Sequence, residues 1–148
     1  MSGEPSITLV PTDYVHTVWE QVRPYLEEAV EYTFGRYGID DVQHMVVSGS
    51  HNLWVAFDDS GIKGTVVTCF SRYPKALYLN MVFCGGEDGH DWKNAMLKML
   101  RHWAYDNNCD GIEATGRFGW QKIFKADGLL PLWQTFELPI EVEAGLGA

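Results

Sequence analysis

Apolar positions along the chain change period several times, and each change predicts an element. Residues 7–10, "ITLV", read as a short strand closed by Pro11, after which Thr12 and Asp13 offer a helix cap. Val15, Val18, Trp19, Val22, Leu26, Ala29 and Val30 then recur at steps of three and four, the period of an amphipathic helix. Pro24 lies inside that pattern, where a missing amide proton and a ring clash predict a kink or a split into two helices. "GRYGI" breaks the period. Asp40 or Asp41 then caps a short helix carrying Val42, Met45 and Val46, and Gly49 ends it.

From there the runs become rich in β-branched and aromatic residues: "LWVAF" (53–57), "IKGTVVTCF" (62–70) and "LYLNMVF" (77–83). Turn material, "DDSG" and "SRYPKA", separates them, so the first two predict an antiparallel hairpin and the third continues the meander. After the stretch "FCGGEDGHDW" (83–92), Asp91 is placed to cap a helix running to about residue 106. Trp92, Ala95, Met96, Met99, Leu100, Trp103 and Ala104 share its apolar face, and His102 lies opposite and is expected at the surface. "IEAT" (112–115) predicts a strand, "GWQKIFKADG" (119–128) a helix, and "LPLWQTFEL" (130–138) a last strand, with residues 139–148 a loose tail. The expectation is a single domain over residues 1–138, a mixed α/β layer fold of order β-α-α-β-β-β-α-β-α-β. Its antiparallel meander is followed by a strand-helix-strand crossover. Trp19, Trp54, Trp92, Trp103 and Trp133 are assigned to core faces, whereas Trp120, with Phe118, is either core or an exposed lip for a protein partner.

Composition agrees with one packed core: 148 residues, 46% hydrophobic, with six Trp, seven Tyr and seven Phe. No apolar stretch approaches the roughly 18–20 residues of a membrane span, and the N-terminus has no basic-then-apolar leader, so a soluble, cytoplasmic protein is expected. A net charge of −9, from 20 acidic against 11 basic side chains, argues against a protein held on nucleic-acid phosphates. Arg117, Lys122 and Lys125, interleaved with Trp120 and Phe124, are either a local basic patch or the solvated face of a helix. Cys69, Cys84 and Cys109 are odd in number with no CxxC, and the five histidines form no HExxH. No metal site is expected, and the thiols are expected to be reduced.

The order of elements resembles the GNAT superfamily of N-acetyltransferases over residues 7–138, with "LWVAFDDSGIKGTVV" resembling its second and third strands and "IFKADGLLPLWQTFEL" its last helix, glycine stop and final strand. More narrowly, "NCDGIEATGRFGW" resembles small GNAT-like proteins of tailed bacteriophages, which implies a host cytoplasm or a virion as its setting. The resemblance implies acetyl-CoA as cofactor, held along a splayed fourth strand and the following loop. Phe83, Cys84, Gly85, Gly86 and Gly89 are the corresponding positions, and an amine is the acceptor. Two departures follow. The loop "CGGEDGHD" carries Glu87, Asp88 and Asp91 where the family places a basic residue, which predicts weak binding of an anionic cofactor. The position of the family's acidic tyrosine is Phe124, which has no proton to give; Tyr78 or Tyr105 are substitutes. Glu113, or Asn80 with Tyr78, is the candidate base, though strand alternation leaves Glu113 facing either the site or solvent; His90 is equally open. The resulting alternatives are an N-acetyltransferase of an amine and a non-catalytic interaction protein of the same fold, such as a virion or host-takeover component.

Overall fold

The computed structural model describes residues 5–87, 89–116 and 125–140. The chain divides into two compact units, Met1–Arg117 and Phe118–Ala148. In the first, a five-stranded sheet of order β1-β2-β3-β4-β5 is built from β1 (Ser6–Val10), β2 (Asn52–Asp58), β3 (Gly61–Tyr73), β4 (Ala76–Gly86) and β5 (Gly111–Ala114). Helices α1 (Val15–Val30) and α2 (Ile39–Ser48) precede β2, and α3 (Gly89–Asp106) links β4 to β5. The first four strands pair antiparallel and β4 pairs parallel to β5, so the predicted meander and crossover are both present.

Helix α1 runs unbroken through Pro24, against the expected split. Its buried stripe Val15, Trp19, Val22 and Leu26 spans the proline on both sides. Burying each such side chain contributes about 1.5–3 kcal/mol, which together outweighs the roughly 3 kcal/mol cost of an interior proline. The stripe packs with Val42 and Val46 of α2 against Leu53, Val55, Val67 and Phe83 of the sheet. Helix α2 begins at Gly38, whose N–H donates to Asp41 Oδ2 at 2.8 Å, and Gly49 closes it in the left-handed region.

On the opposite face α3 buries Trp92, Met96, Leu100 and Ala104, and its Trp103 ring meets those of Trp54 and Phe70. Beneath it, Trp54 Nε1 donates to Thr68 Oγ1 at 3.0 Å and Thr65 Oγ1 donates to the Trp54 carbonyl at 2.8 Å. These bonds satisfy the Trp54 indole and the buried hydroxyls of Thr65 and Thr68, whereas Trp103 Nε1 is buried without a partner among the described residues.

In the second unit, Lys125–Asp127 form a 3-10 turn and Gly128 follows at φ +86°. Residues 129–140 have no regular secondary structure, so the strand expected over 130–138 is not formed. Trp133, assigned to the core, is exposed. The expected helix over 119–128 falls mostly outside the described residues, as do Arg117, Phe118, Trp120, Lys122 and Phe124.

Candidate functional site

Strand β4 keeps its pairing with β3 to Gly86, but it pairs with β5 only from Tyr78 to Met81. Beyond Met81 the pairing ends, because β5 stops at Ala114. At the same point β4 carries a bulge: Val67 faces Phe83 while Thr68 faces Met81, which leaves Val82 as the extra residue. A bulge bends its strand and reverses the parity of side chains beyond it. Met81 therefore shares the α3 face with Thr68, whereas Phe83 joins the α1–α2 core, its ring 5.4 Å from that of Tyr37. Residues 82–86 of β4 have no strand on the β5 side among the described residues.

The positions singled out by sequence lie in or next to this segment. Gly85 and Gly86 end β4. A Cβ on Gly85 would lie 2.5 Å from the Tyr25 carbonyl oxygen of α1, so the first glycine serves helix–strand approach. Gly86 holds φ +152°, and a Cβ there would lie 2.5 Å from the Lys63 carbonyl oxygen. Gly89 opens α3 with ordinary backbone angles and open space around it, so it supplies no left-handed turn. Cys84 is half-buried and unoxidised. Asp91 sits exposed in the first turn of α3 rather than at its cap. Glu87 carries an ion pair with Lys63 at 3.3 Å, and its carbonyl accepts a hydrogen bond from Trp92 Nε1 at 2.9 Å. One of the three loop carboxylates thus has its own cation, a partner 24 residues away that sequence spacing does not reveal.

The polar groups converge one step away, on the α1–α2 face of the sheet. Strand register sets Cys69, Asn80 and Glu113 in one row across β3, β4 and β5, and Ser71, Tyr78 and Gly111 in the next. Glu113 is therefore turned to this face, where the Tyr73 hydroxyl donates to its Oε1 at 2.6 Å. Asn80 Nδ2 donates to Ser71 Oγ at 3.2 Å, while Asn80 Oδ1 is buried and has no hydrogen-bond partner. The Tyr78 ring stands at a near-right angle to that of Tyr73 and covers Gly111.

Electrostatics fit the grouping. The hydrogen bond to Glu113 is the main cause that pushes the Tyr73 phenol above the ordinary tyrosine range, with desolvation and the carboxylate's charge adding to it. Burial first, and the Glu113 charge second, push the Cys69 thiol up, against a weaker opposing hydrogen bond with Ser71. Both groups hold their protons at neutral pH beside a carboxylate. Of the candidates read from sequence, Glu113, Asn80 and Tyr78 are brought together. Tyr105 stands almost wholly exposed on α3, and His102 is exposed as expected. Tyr73, Ser71 and Cys69 had no sequence signal, because their relevance depends on a register 40 residues distant. No group of metal-ligating side chains occurs among the described residues.

No family model and no curated protein sequence matches the chain. Solved structures do. A ribosomal-protein-alanine N-acetyltransferase from Brucella melitensis superposes with a TM-score of 0.68 at 12% identity, covering 93% of this chain and 99% of that one. A protein described as a predicted acetyltransferase with acetyl-CoA, from Clostridium acetobutylicum, gives 0.67 at 13% identity over 91% and 96%. An aminoglycoside acetyltransferase from an uncultured soil sample gives 0.66 at 8% over 94% and 97%. The chain has the GNAT acetyltransferase fold.

Proposed function

We propose that this chain is an acetyl-CoA-dependent N-acetyltransferase of an amine, with Glu113 as general base. The observation that carries the reading is the row Cys69–Asn80–Glu113, with the Tyr73–Glu113 bond, placed near the point where the β4–β5 pairing ends. Among the described residues no strand flanks residues 82–86 of β4 on the β5 side, so an extended amide-bearing arm such as pantetheine would fit along that part of the strand. Phe83, Cys84, Gly85 and Gly86 lie in that stretch, and Gly89 opens the helix whose N-terminus would receive the pyrophosphate. The loop fits less well, because Glu87 and Asp91 add negative charge there.

Acetyl-CoA, when bound, supplies the acetyl group as an activated thioester. Glu113 would accept the proton that the amine loses as its lone pair forms the new C–N bond in place of the thioester C–S bond, and the departing thiolate would take its proton from solvent. Tyr73 acts as a positioning residue, since its hydroxyl fixes the carboxylate's orientation. Asn80 Oδ1, buried and without a partner among the described residues, is an unused acceptor in the same row as Glu113. The net charge of −9 favours a cationic acceptor at the encounter stage.

Calorimetric titration with acetyl-CoA, followed by thiol release against a panel of alkylamines and peptide N-termini, tests this. Binding plus turnover that is lost in Glu113→Gln is expected. Absence of binding at millimolar acetyl-CoA sinks the reading and leaves the second one, an interaction protein on the same fold (the bacteriophage-type resemblance of "NCDGIEATGRFGW" belongs to it), which the carboxylates of Glu87 and Asp91 favour.

A further inference from the structure

Residues 130–140 carry an anomaly. Leu130, Leu132, Trp133, Phe136, Leu138 and Ile140 are all 69–86% exposed, six large apolar side chains within eleven residues. Such a density of solvated apolar surface marks an interaction segment. Its spacing is that of a strand: Leu130, Leu132, Phe136, Leu138 and Ile140 fall on one face, interrupted only by Gln134. Pro131 and Pro139 share the odd parity, so the missing donors lie on one edge only. The amides of residues 132, 134, 136 and 138 leave the other edge complete. This is the sequence pattern of an edge strand in a segment that forms no strand.

The sheet of the first unit offers a matching edge. Among the described residues β1 pairs only with β2, residue for residue and without a bulge. Its sequence Ser-Ile-Thr-Leu-Val contains no charge and no proline, the devices by which edge strands are kept from pairing, and Pro5 and Pro11 delimit it. By contrast β5 is four residues long, carries Glu113 and follows Asp110. Beside β1 lies an apolar groove of about 500 Å³, whose lining includes Thr8, Val10, Tyr14, Val18, Phe57 and Ile62. An open edge next to a groove for alternate side chains is the arrangement that receives an added strand.

We propose that two copies of this chain exchange residues 130–138, each segment adding to the β1 edge of the other copy and filling its groove. Phe136 and Trp133 bury on the order of 150–250 Å² each and the aliphatic side chains about 100 Å² each. Two exchanged segments then remove roughly 1,200–1,600 Å², the size of a stable interface. Reciprocal exchange is also the symmetric, closed solution, which leaves no β1 edge and no segment over for further growth. The two partners carry −9 each, so added salt strengthens the dimer.

Sedimentation equilibrium of the full chain tests the proposal with two variants. Phe136→Lys charges the segment and Thr8→Lys charges the edge; both side chains are exposed, so neither change burdens the fold. The wild type is expected to be dimeric at tens of micromolar, and each variant alone to dissociate at least tenfold more readily. An equimolar mixture regains association, because the Phe136→Lys copy keeps an intact β1 edge and the Thr8→Lys copy an intact segment. A wild type that stays monomeric at that concentration overturns the proposal. So does a variant that dimerises as the wild type does, or a mixture no tighter than its components.

Discussion

The hydroxyl of Tyr73 donates a 2.6 Å hydrogen bond to Glu113 Oε1, joining the far end of β3 to β5 across the intervening β4. The bond turns an ambiguous strand carboxylate into a fixed group facing Asn80. If Glu113 is the base, Glu113→Gln lowers kcat by about 10²–10⁴, the usual worth of a positioned acid or base. Tyr73→Phe lowers it by about tenfold through lost positioning, with KM little changed. Steady-state thiol release on both variants checks the order; equal effects contradict the assigned roles.

The same pair sets a pH dependence. The folded-state pKa of Tyr73 is raised by Glu113, so the pair's stabilising contribution is complete below the ordinary tyrosine range, about 10. It is lost as pH rises through the higher folded value. An ultraviolet tyrosinate titration of the wild type therefore shows a late-ionising phenol that is missing from Tyr73→Phe. In Glu113→Gln that phenol moves back toward the ordinary range.

Thr68 tests the buried polar network. Thr68→Val keeps the shape but removes the acceptor of the Trp54 indole N–H, with both residues almost fully buried. An unsatisfied buried donor costs about 1–3 kcal/mol, which urea denaturation reads as a lower midpoint at unchanged slope.

Acetyl-CoA affinity responds to the loop. Removing the Glu87 carboxylate as Glu87→Gln takes one negative charge from beside the start of α3 and releases Lys63 from its ion pair. Binding is expected to tighten by several-fold at low salt, and the gain shrinks as salt is added. Calorimetry at two ionic strengths measures it, and weaker binding in the variant contradicts the charge account.

Glycine substitutions separate packing from turn geometry. A Cβ on Gly64 would enter the Trp92 ring, so Gly64→Ala forces either the indole or the strand to shift. Overpacking of this kind costs about 1–3 kcal/mol. Gly89→Ala meets open space at an ordinary backbone conformation. It is expected to raise stability by about 0.4–1 kcal/mol through the unfolded chain. Thermal melts of the two variants should move in opposite directions.

What the sequence by itself determined were the elements whose period is local. The three- and four-residue spacing of Val15, Trp19, Val22 and Leu26 specified α1, and that of Trp92, Met96 and Leu100 specified α3. Turn chemistry between β-rich runs specified the meander, where Ser60 N–H closes the hairpin on Asp58 Oδ1. Those signals arise within one or two turns of chain, which is why they survive without an alignment. The tertiary structure decided what depends on register. The bulge at Val82 sends Phe83 to the α1–α2 core and Met81 to the α3 face, although the two residues are of equal parity. Pairing of Asn80 with both Cys69 and Glu113 decided which way the carboxylate points. Only the fold showed that Gly85 and Gly86 of "FCGGEDGHDW" lie against Tyr25 and Lys63, neighbours distant in sequence, while Gly89 meets open space. The alternation of Leu132, Phe136 and Leu138 was equally legible, yet no strand forms there. A strand's backbone needs a partner for its hydrogen bonds, and no local pattern can supply one.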